Sequence, residues 1–241
     1  MIDYHCHLLS GIDDGPEYIE ESVEMAEALY KAGFRTIYCT PHVMKGFYDA
    51  DNKVVLAAMS DLRKKLKEEN INLEIFPGRE YYLDEFLGQY LKNPMPLGKT
   101  NFIMVEIPNF APAKYVKETC FRIKCGGFVP MIAHPERCVL FAANQKHKSS
   151  FFSLSSSKRK ISDAIARRME LINYLKNIGC AFQANLGSFY SLYGPEVQLT
   201  ANYLKDNKIY THYGTDAHSL KSIKLLAQHA QDEKRKLQIS I

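Results

Sequence analysis

Apolar residues recur along this chain with two alternating periods. Short apolar runs fall at Ile2–Tyr4, Thr36–Cys39, Leu73–Phe76, Phe102–Ile107, Phe128–Ala133, Cys180–Ala184 and Ile209–Tyr213. Their length and continuity suit strands buried on both faces of a parallel sheet. Between them lie longer segments with helical spacing. Ile19, Val23, Ala26 and Tyr30 share one helical face, and Gly33 supplies a stop signal. Val55–Lys67, Tyr115–Lys124, Ile161–Leu175, Val197–Leu204 and Ile223–Lys236 read the same way. Repeated βα units predict parallel strands joined by crossover helices. Seven strands fit a doubly wound sheet or a closed barrel, and no internal repeat decides between them.

One segment departs from this pattern. Asn144–Lys160, "NQKHKSSFFSLSSSKRK", carries Lys146, Lys148, Lys158, Arg159 and Lys160 with no acid. It is expected to be a basic surface loop inside a single domain covering residues 1–241. The bland reading is a solvated loop. The sharper one is an electrostatic guide for an acidic phosphorylated peptide.

Composition narrows the classes. The chain has 241 residues, long enough to bury a substantial core, and a net charge of +4, too small to argue for a nucleic-acid partner. No run reaches the roughly 18 apolar residues of a membrane span, and no signal peptide is evident. Six scattered cysteines form no C-x-x-C pair, which fits a cytoplasmic protein. None has an arginine six positions on, which excludes the C-x₅-R chemistry of cysteine-dependent phosphatases.

The chemistry lies at the strand ends. Strand one runs into His5, His7 and Asp14, strand two into His42, and strand three into Glu80. Strand four ends near Glu106, strand five runs into His134, and strand seven into Asp216 and His218. In a parallel barrel all these ends face one rim. A lone histidine after a strand is usually a hydrogen-bonded structural residue, and a lone aspartate is usually a helix cap. Five of the eight histidines at one rim, with four carboxylates that would repel one another, read as a metal site. His147, His212 and His229 fall outside the pattern, and Cys6 and Cys138 are expected to pack rather than coordinate. Nitrogen and oxygen donors suit manganese, iron or zinc. Nine ligands exceed the needs of one ion, so two or three divalent ions are expected. Three such ions, four ionised carboxylates and one hydroxide leave about one positive charge, suited to a phosphate dianion.

The motifs "HCHLLSGIDDG", "TPH", "PGRE", "VEIP", "AHPER" and "TDAH", in this order from Met1 to His218, resemble the polymerase-and-histidinol-phosphatase (PHP) superfamily. More narrowly they are similar to its bacterial protein-tyrosine phosphatases, manganese-dependent enzymes of capsule and exopolysaccharide operons. The resemblance implies an α/β fold, a distorted (β/α)7 barrel, with a trinuclear metal site at the C-terminal rim. It implies His5, His7, Asp14, His42, Glu80, Glu106, His134, Asp216 and His218 as ligands, with Glu80 bridging two ions. It implies phosphomonoester hydrolysis in which Glu80 and Asp14 act through the ions and Arg137, of "HPER", holds the phosphoryl group. A guanidinium pKa above about 12 makes Arg137 a charge stabiliser rather than a proton donor. Arg79 is expected in an ordinary salt bridge, Asp13 behind the ligands or in a turn, and Asn185 and Ser188 beside the site.

The implied substrate is the phosphotyrosine-containing tail of a bacterial tyrosine kinase controlling polysaccharide export. A PHP phosphatase of a small metabolite such as histidinol phosphate has almost the same ligands, and a non-catalytic PHP-like module is a third possibility. An amidohydrolase would add a metal-bridging lysine, and no lysine ends a predicted strand. The stretch after His218 is short for the family, so its closing helix is expected to be missing or truncated.

Overall fold

In this computed structural model, residues 1–143, 166 and 168–239 are described, the last nine as backbone only. The basic segment Asn144–Lys160 lies outside the described residues.

The elements follow the βα rhythm: β1 (Ile2–Cys6), α1 (Ile19–Lys31), β2 (Thr36–Cys39), β3 (His42–Val43), α2 (Asn52–Glu68), β4 (Glu74–Pro77), β5 (Glu80–Tyr82) and α3 (Leu87–Tyr90). They continue with β6 (Phe102–Glu106), α4 (Ala113–Cys125), β7 (Val129–Ala133), α5 (described over 168–177), β8 (Ala181–Asn185), α6 (Pro195–Asp206), β9 (His212–Gly214) and α7 (Leu220–Ile239). A closing helix of 20 residues is therefore present, which corrects the expectation that it is missing.

Every strand pairing is parallel. β1, β2 and β4 form one sheet, and β3, β5, β6, β7, β8 and β9 form the other. The two sheets share strands. β2 and β3 are two halves of one strand broken at Thr40–Pro41, and β4 and β5 are halves of another broken at Gly78–Arg79. The break at Pro41 removes a ladder donor. The break at Gly78 leaves little room for a side chain: a Cβ there would sit 2.5 Å from Leu97 Cδ2, which would have to shift. Counted this way, the strands among the described residues number seven, in chain order.

The last strand meets the first. His7 N–H donates to Ala217 O (3.0 Å) and Asp216 N–H to His5 O (2.7 Å). The buried Asp3 carboxylate accepts the N–H (2.9 Å) and hydroxyl (2.6 Å) of Thr215. Gly214 permits this approach, since a Cβ there would lie 2.6 Å from that of His5. The α/β class, the seven strands and the barrel-like order agree with the sequence reading. The seventh strand is shorter than expected: Ile209–Thr211 is not strand, and β9 begins at His212.

Strand alternation places the chemistry. On β6, Ile103 and Val105 join the core under the helices, while Met104 faces the opposite way and leads on to Glu106. On β8, Phe182 joins that core, while Ala181, Gln183 and Asn185 form the other face. The inner face thus turns from apolar to polar toward the C-terminal ends. Outside, Val116, Cys120 and Ile123 of α4 and Leu171, Ile172 and Leu175 of α5 pack on β5–β8. Val55, Met59, Leu62 and Leu66 of α2 pack with Ile37 and Ile75. Asp51 caps α2 by accepting the N–H groups of Lys53 (2.8 Å) and Val54 (3.0 Å). The buried face of α1 is rotated from the expected one. Ser22, Met25, Ala26 and Leu29 are buried, while Ile19, Val23 and Tyr30 lie at its edges.

Candidate metal centre

His5 lies on β1 and His7 just past its end, and their Nε2 atoms come within 3.1 Å of each other. Glu80, the first residue of β5, is fully buried beneath them. Its Oε2 lies 3.0 Å from His5 Nε2, 3.2 Å from His7 Nε2 and 3.1 Å from His42 Nδ1. Its Oε1 lies 2.9 Å from His134 Nε2. Asp216 Oδ1 is 3.2 Å from the Nε2 atoms of both His5 and His7.

These side chains form three overlapping groups whose donor atoms could each surround one ion. The first is His5, His7, Glu80 and Asp216; the second is His42, Glu80 and Glu106; the third is His7, Asp14, His42 and His218. In the third, Asp14 Oδ1 lies 3.6 Å from His42 Nε2 and 3.4 Å from His218 Nε2. Eight of the nine expected ligands therefore fall in a group. His134 joins them through its contact with Glu80. His134 (φ 27°) and Asp216 (φ 51°) both hold left-handed backbone conformations, which non-glycine residues adopt at a cost usually met at functional sites.

The supporting contacts orient the rings. His7 Nδ1–H donates to Asp13 Oδ2 (2.6 Å), His5 Nδ1–H to Gln183 Oε1 (2.9 Å) and His218 Nδ1–H to the Asp216 carbonyl (2.9 Å). These tautomers, assigned from the partners, leave each Nε2 facing the cluster. Gln183 is itself fixed, donating to Ala184 O (2.6 Å) and accepting His134 N–H (3.2 Å). Asp13 also accepts the N–H of His42 (2.9 Å), so the turn residue and the supporting residue are one.

Arg79 corrects an expectation. Its guanidinium is buried and donates to the carbonyls of Ala50 (2.8 Å) and His42 (3.0 Å), and among the described residues it forms no salt bridge. Asn185 donates to Asp216 Oδ2 (3.1 Å) and so stands behind a ligand. Ser188 is buried with its hydroxyl unpartnered, and does not line the cavity. Asp3, Gln183 and Glu136 were missed at the level of sequence. Glu136 of the "HPER" motif is buried and accepts Asn185 N–H (2.8 Å) and the Tyr210 hydroxyl (2.8 Å). Cys6 and Cys138 are buried outside the three groups, as expected.

Electrostatics favour cations. Burial works against the charge on Glu80, but His5, His42 and His134 outweigh it and hold the carboxyl well below its usual range. Asp216 behaves likewise, with His5 and His7 as its main partners. Burial opposes the charged form of His5, yet Glu80 and Asp216 raise its pKa to about 9. Burial similarly opposes Asp13, and His7 and backbone N–H groups bring it to about 2. Glu106 moves the other way, raised by burial and by the charge of Glu80. Two buried atoms facing the cluster, His42 Nδ1 and Asp216 Oδ1, have no hydrogen-bond partner. An imidazole nitrogen and a carboxylate oxygen left without a hydrogen-bond partner fit divalent ions with nitrogen and oxygen preference.

A cavity of about 460 Å³ opens above the cluster. Asp14, His42, Glu80, Glu106, His134, Asp216 and His218 form its base, with Arg137 and three tyrosines, Tyr48, Tyr82 and Tyr193, around them. Arg137 Nη1 donates to Asp216 Oδ2 (2.5 Å), and its guanidinium lies 4.7 Å from the Tyr193 ring centroid.

The chain is similar in sequence and fold to known proteins. Residues 1–153 match a family model described as capsular polysaccharide synthesis, CpsB/CapC. The tyrosine-protein phosphatase YwqE of Bacillus subtilis is 29% identical over 232 residues, covering 95% of this chain and 82% of the relative. The tyrosine-protein phosphatase CpsB of Streptococcus agalactiae is 27% identical, covering 77% of this chain and 67% of the relative. A crystal structure from a study of YwqE from B. subtilis and CpsB from Streptococcus pneumoniae, described as metal-dependent tyrosine phosphatases, superposes with a TM-score of 0.76. The identity there is 30%, over 95% of this chain and 84% of the solved one. The histidinol phosphate phosphatase of Lactococcus lactis shares the fold, with a TM-score of 0.55 at 16% identity over 98% of this chain and 92% of the other. By its sequence match and its structural match together, the chain belongs to the CpsB/CapC family of capsular polysaccharide synthesis proteins.

Proposed function

We propose that this protein is a metal-dependent protein-tyrosine phosphatase, built as one domain over residues 1–241, with His5, His7, Asp14, His42, Glu80, Glu106, His134, Asp216 and His218 holding two or three divalent ions. The observation that carries this is Glu80: one buried carboxylate shared among four imidazoles, at 2.9–3.2 Å from each. A carboxylate so surrounded suits a bridge between two cations. Manganese is the first candidate, with iron and zinc as alternatives of the same donor preference. When bound, such ions activate water near neutral pH and stabilise charge on phosphoryl oxygens.

The chain's own residues supply the rest. Gln183 and Asp13 hold His5 and His7 in the tautomers that present Nε2. Asn185 and Arg137 occupy Asp216 Oδ2, so Oδ1 is the oxygen that would be left to hold an ion. Arg137 borders the cavity with its side chain about one-third exposed, so it can meet a phosphoryl group from the solvent side. Its charge is permanent, which suits it to stabilise developing negative charge rather than to give up a proton. A tyrosyl leaving group, with a pKa near 10, needs less protonation than an alkyl alcohol.

The substrate proposed is the phosphotyrosine-containing tail of a bacterial tyrosine kinase that governs capsule or exopolysaccharide synthesis, met in the cytoplasm. Support comes from the family and its tyrosine phosphatase relatives. Parallel rates on a phosphotyrosyl peptide and on histidinol phosphate test it. At least a hundredfold preference in kcat/KM for the peptide is expected, and the reverse order would replace this reading with metabolite hydrolysis.

A further inference from the structure

Three tyrosines, Tyr48, Tyr82 and Tyr193, line the cavity above the cluster. Tyr48 stands on the side of the second strand, stacked at 5.4 Å and 16° on the His42 ring. Tyr193 comes from the segment after β8, on the side of the sixth strand. A 3-10 turn over Leu186–Tyr190 leads to Ser191 in the left-handed conformation, and Leu192 N–H returns to Gly187 O (3.2 Å). This fold-back delivers Tyr193 over Arg137.

The position of Tyr193 is held at both ends. Its hydroxyl accepts Asn185 Nδ2–H (3.0 Å), and its ring sits against the Arg137 guanidinium at 4.7 Å. Even so, the residue is 40% exposed, and it lines the cavity. A large aromatic ring left accessible beside the group assigned to hold a phosphoryl dianion has a ready partner. The substituent on the ester oxygen begins next to that phosphoryl group, and therefore next to this ring. An aryl substituent offers a face or an edge to the Tyr193 ring; an alkyl chain offers neither.

We propose that Tyr193 is a specificity-determining residue that selects aryl over alkyl phosphates, its ring being the wall against which the leaving group's ring packs. The proposal rests on the phosphomonoester reading of the site and goes beyond it by naming the residue that sets the substrate class. It requires that preference for an aromatic substituent be separable from affinity for the charged head.

Two non-hydrolysable probes separate them: phenylphosphonate and methylphosphonate, titrated by calorimetry into the manganese-loaded full chain. The wild-type protein should bind phenylphosphonate more tightly. In Tyr193→Ala the ratio of the two dissociation constants should fall about tenfold, the size of an aromatic pair with its buried area. Methylphosphonate binding and metal content should stay within about twofold, and Tyr193→Phe should keep the wild-type ratio. An unchanged ratio in Tyr193→Ala overturns the proposal. Equal weakening of both probes, or loss of metal, also overturns it, because Tyr193 would then act through Arg137 or Asp216. A wild type with no phenyl preference overturns it while leaving the phosphatase reading intact. A metal-loaded wild type that binds neither phosphonate nor inorganic phosphate would remove the phosphatase reading itself.

Discussion

Arg137 is where two roles meet on one side chain. It pairs with Asp216 and borders the cavity, so removing it could unsettle a ligand or only a substrate contact. Arg137→Lys should retain more kcat/KM on p-nitrophenyl phosphate than Arg137→Ala, which should lose about a hundredfold. Metal content, read by elemental analysis, should be unchanged in both. Loss of metal in Arg137→Ala would mean that the residue props Asp216 rather than meeting phosphate. His5 carries a second consequence. Its pKa is raised to about 9 in the folded, metal-free protein, from 6.5 as the ordinary value. A histidine raised in this way stabilises the fold fully below pH 6.5, and that contribution is lost as pH rises through 9. The unfolding midpoint of the chelator-treated protein should therefore drop across pH 6.5–9. Ion binding must displace the same proton, so metal affinity should rise over that window and protons should be released. A buffer-independent binding enthalpy at pH 7 would contradict this.

At the level of elements, β1 and β9 approach each other closely at the Gly214 joint. Gly214 lies so close to His5 that Gly214→Ala forces backbone atoms apart. The variant should lose about 2 kcal/mol or more in denaturant unfolding and bind metal less well, since His5 and Asp216 flank the joint. A stability within 0.5 kcal/mol or so of wild type would show that the joint can relax. The elements were largely readable from the chain, for identifiable reasons. Strand and helix periods differ, and histidine or carboxylate after an apolar run is expensive unless something holds it. That is why the three donor groups contain no residue outside the nine expected ligands. The contacts behind the ligands were not readable. Gln183 is one polar residue in an apolar run, and its partner His5 lies 178 positions away. Asp3 is similar, reaching Thr215 across 212 positions. The split of β2/β3 and of β4/β5 depends on Pro41 and Gly78 acting as kinks inside strands. Those residues read equally well as ordinary turn signals. The face of α1 was misjudged because Met25 and Leu29 fit the helical period as well as Val23 and Tyr30 do.

For the whole molecule, the candidate ligands come from six of the seven strands and span residues 5 to 218. Ions that bind them would tie the first strand to the last and to those between, so loading and folding are linked. None of the described helices is long and apolar enough to cross a membrane. The decisive measurement is phosphotyrosyl-peptide hydrolysis by the full chain before chelation, after chelation and after reloading with manganese, with bound metal counted at each stage. Activity should vanish with the ions and return with two or three manganese per chain. Glu80→Ala should reload at least one ion fewer and stay inactive. Full activity in the metal-free protein, or saturation at a single ion, would contradict a multi-metal phosphatase built on Glu80.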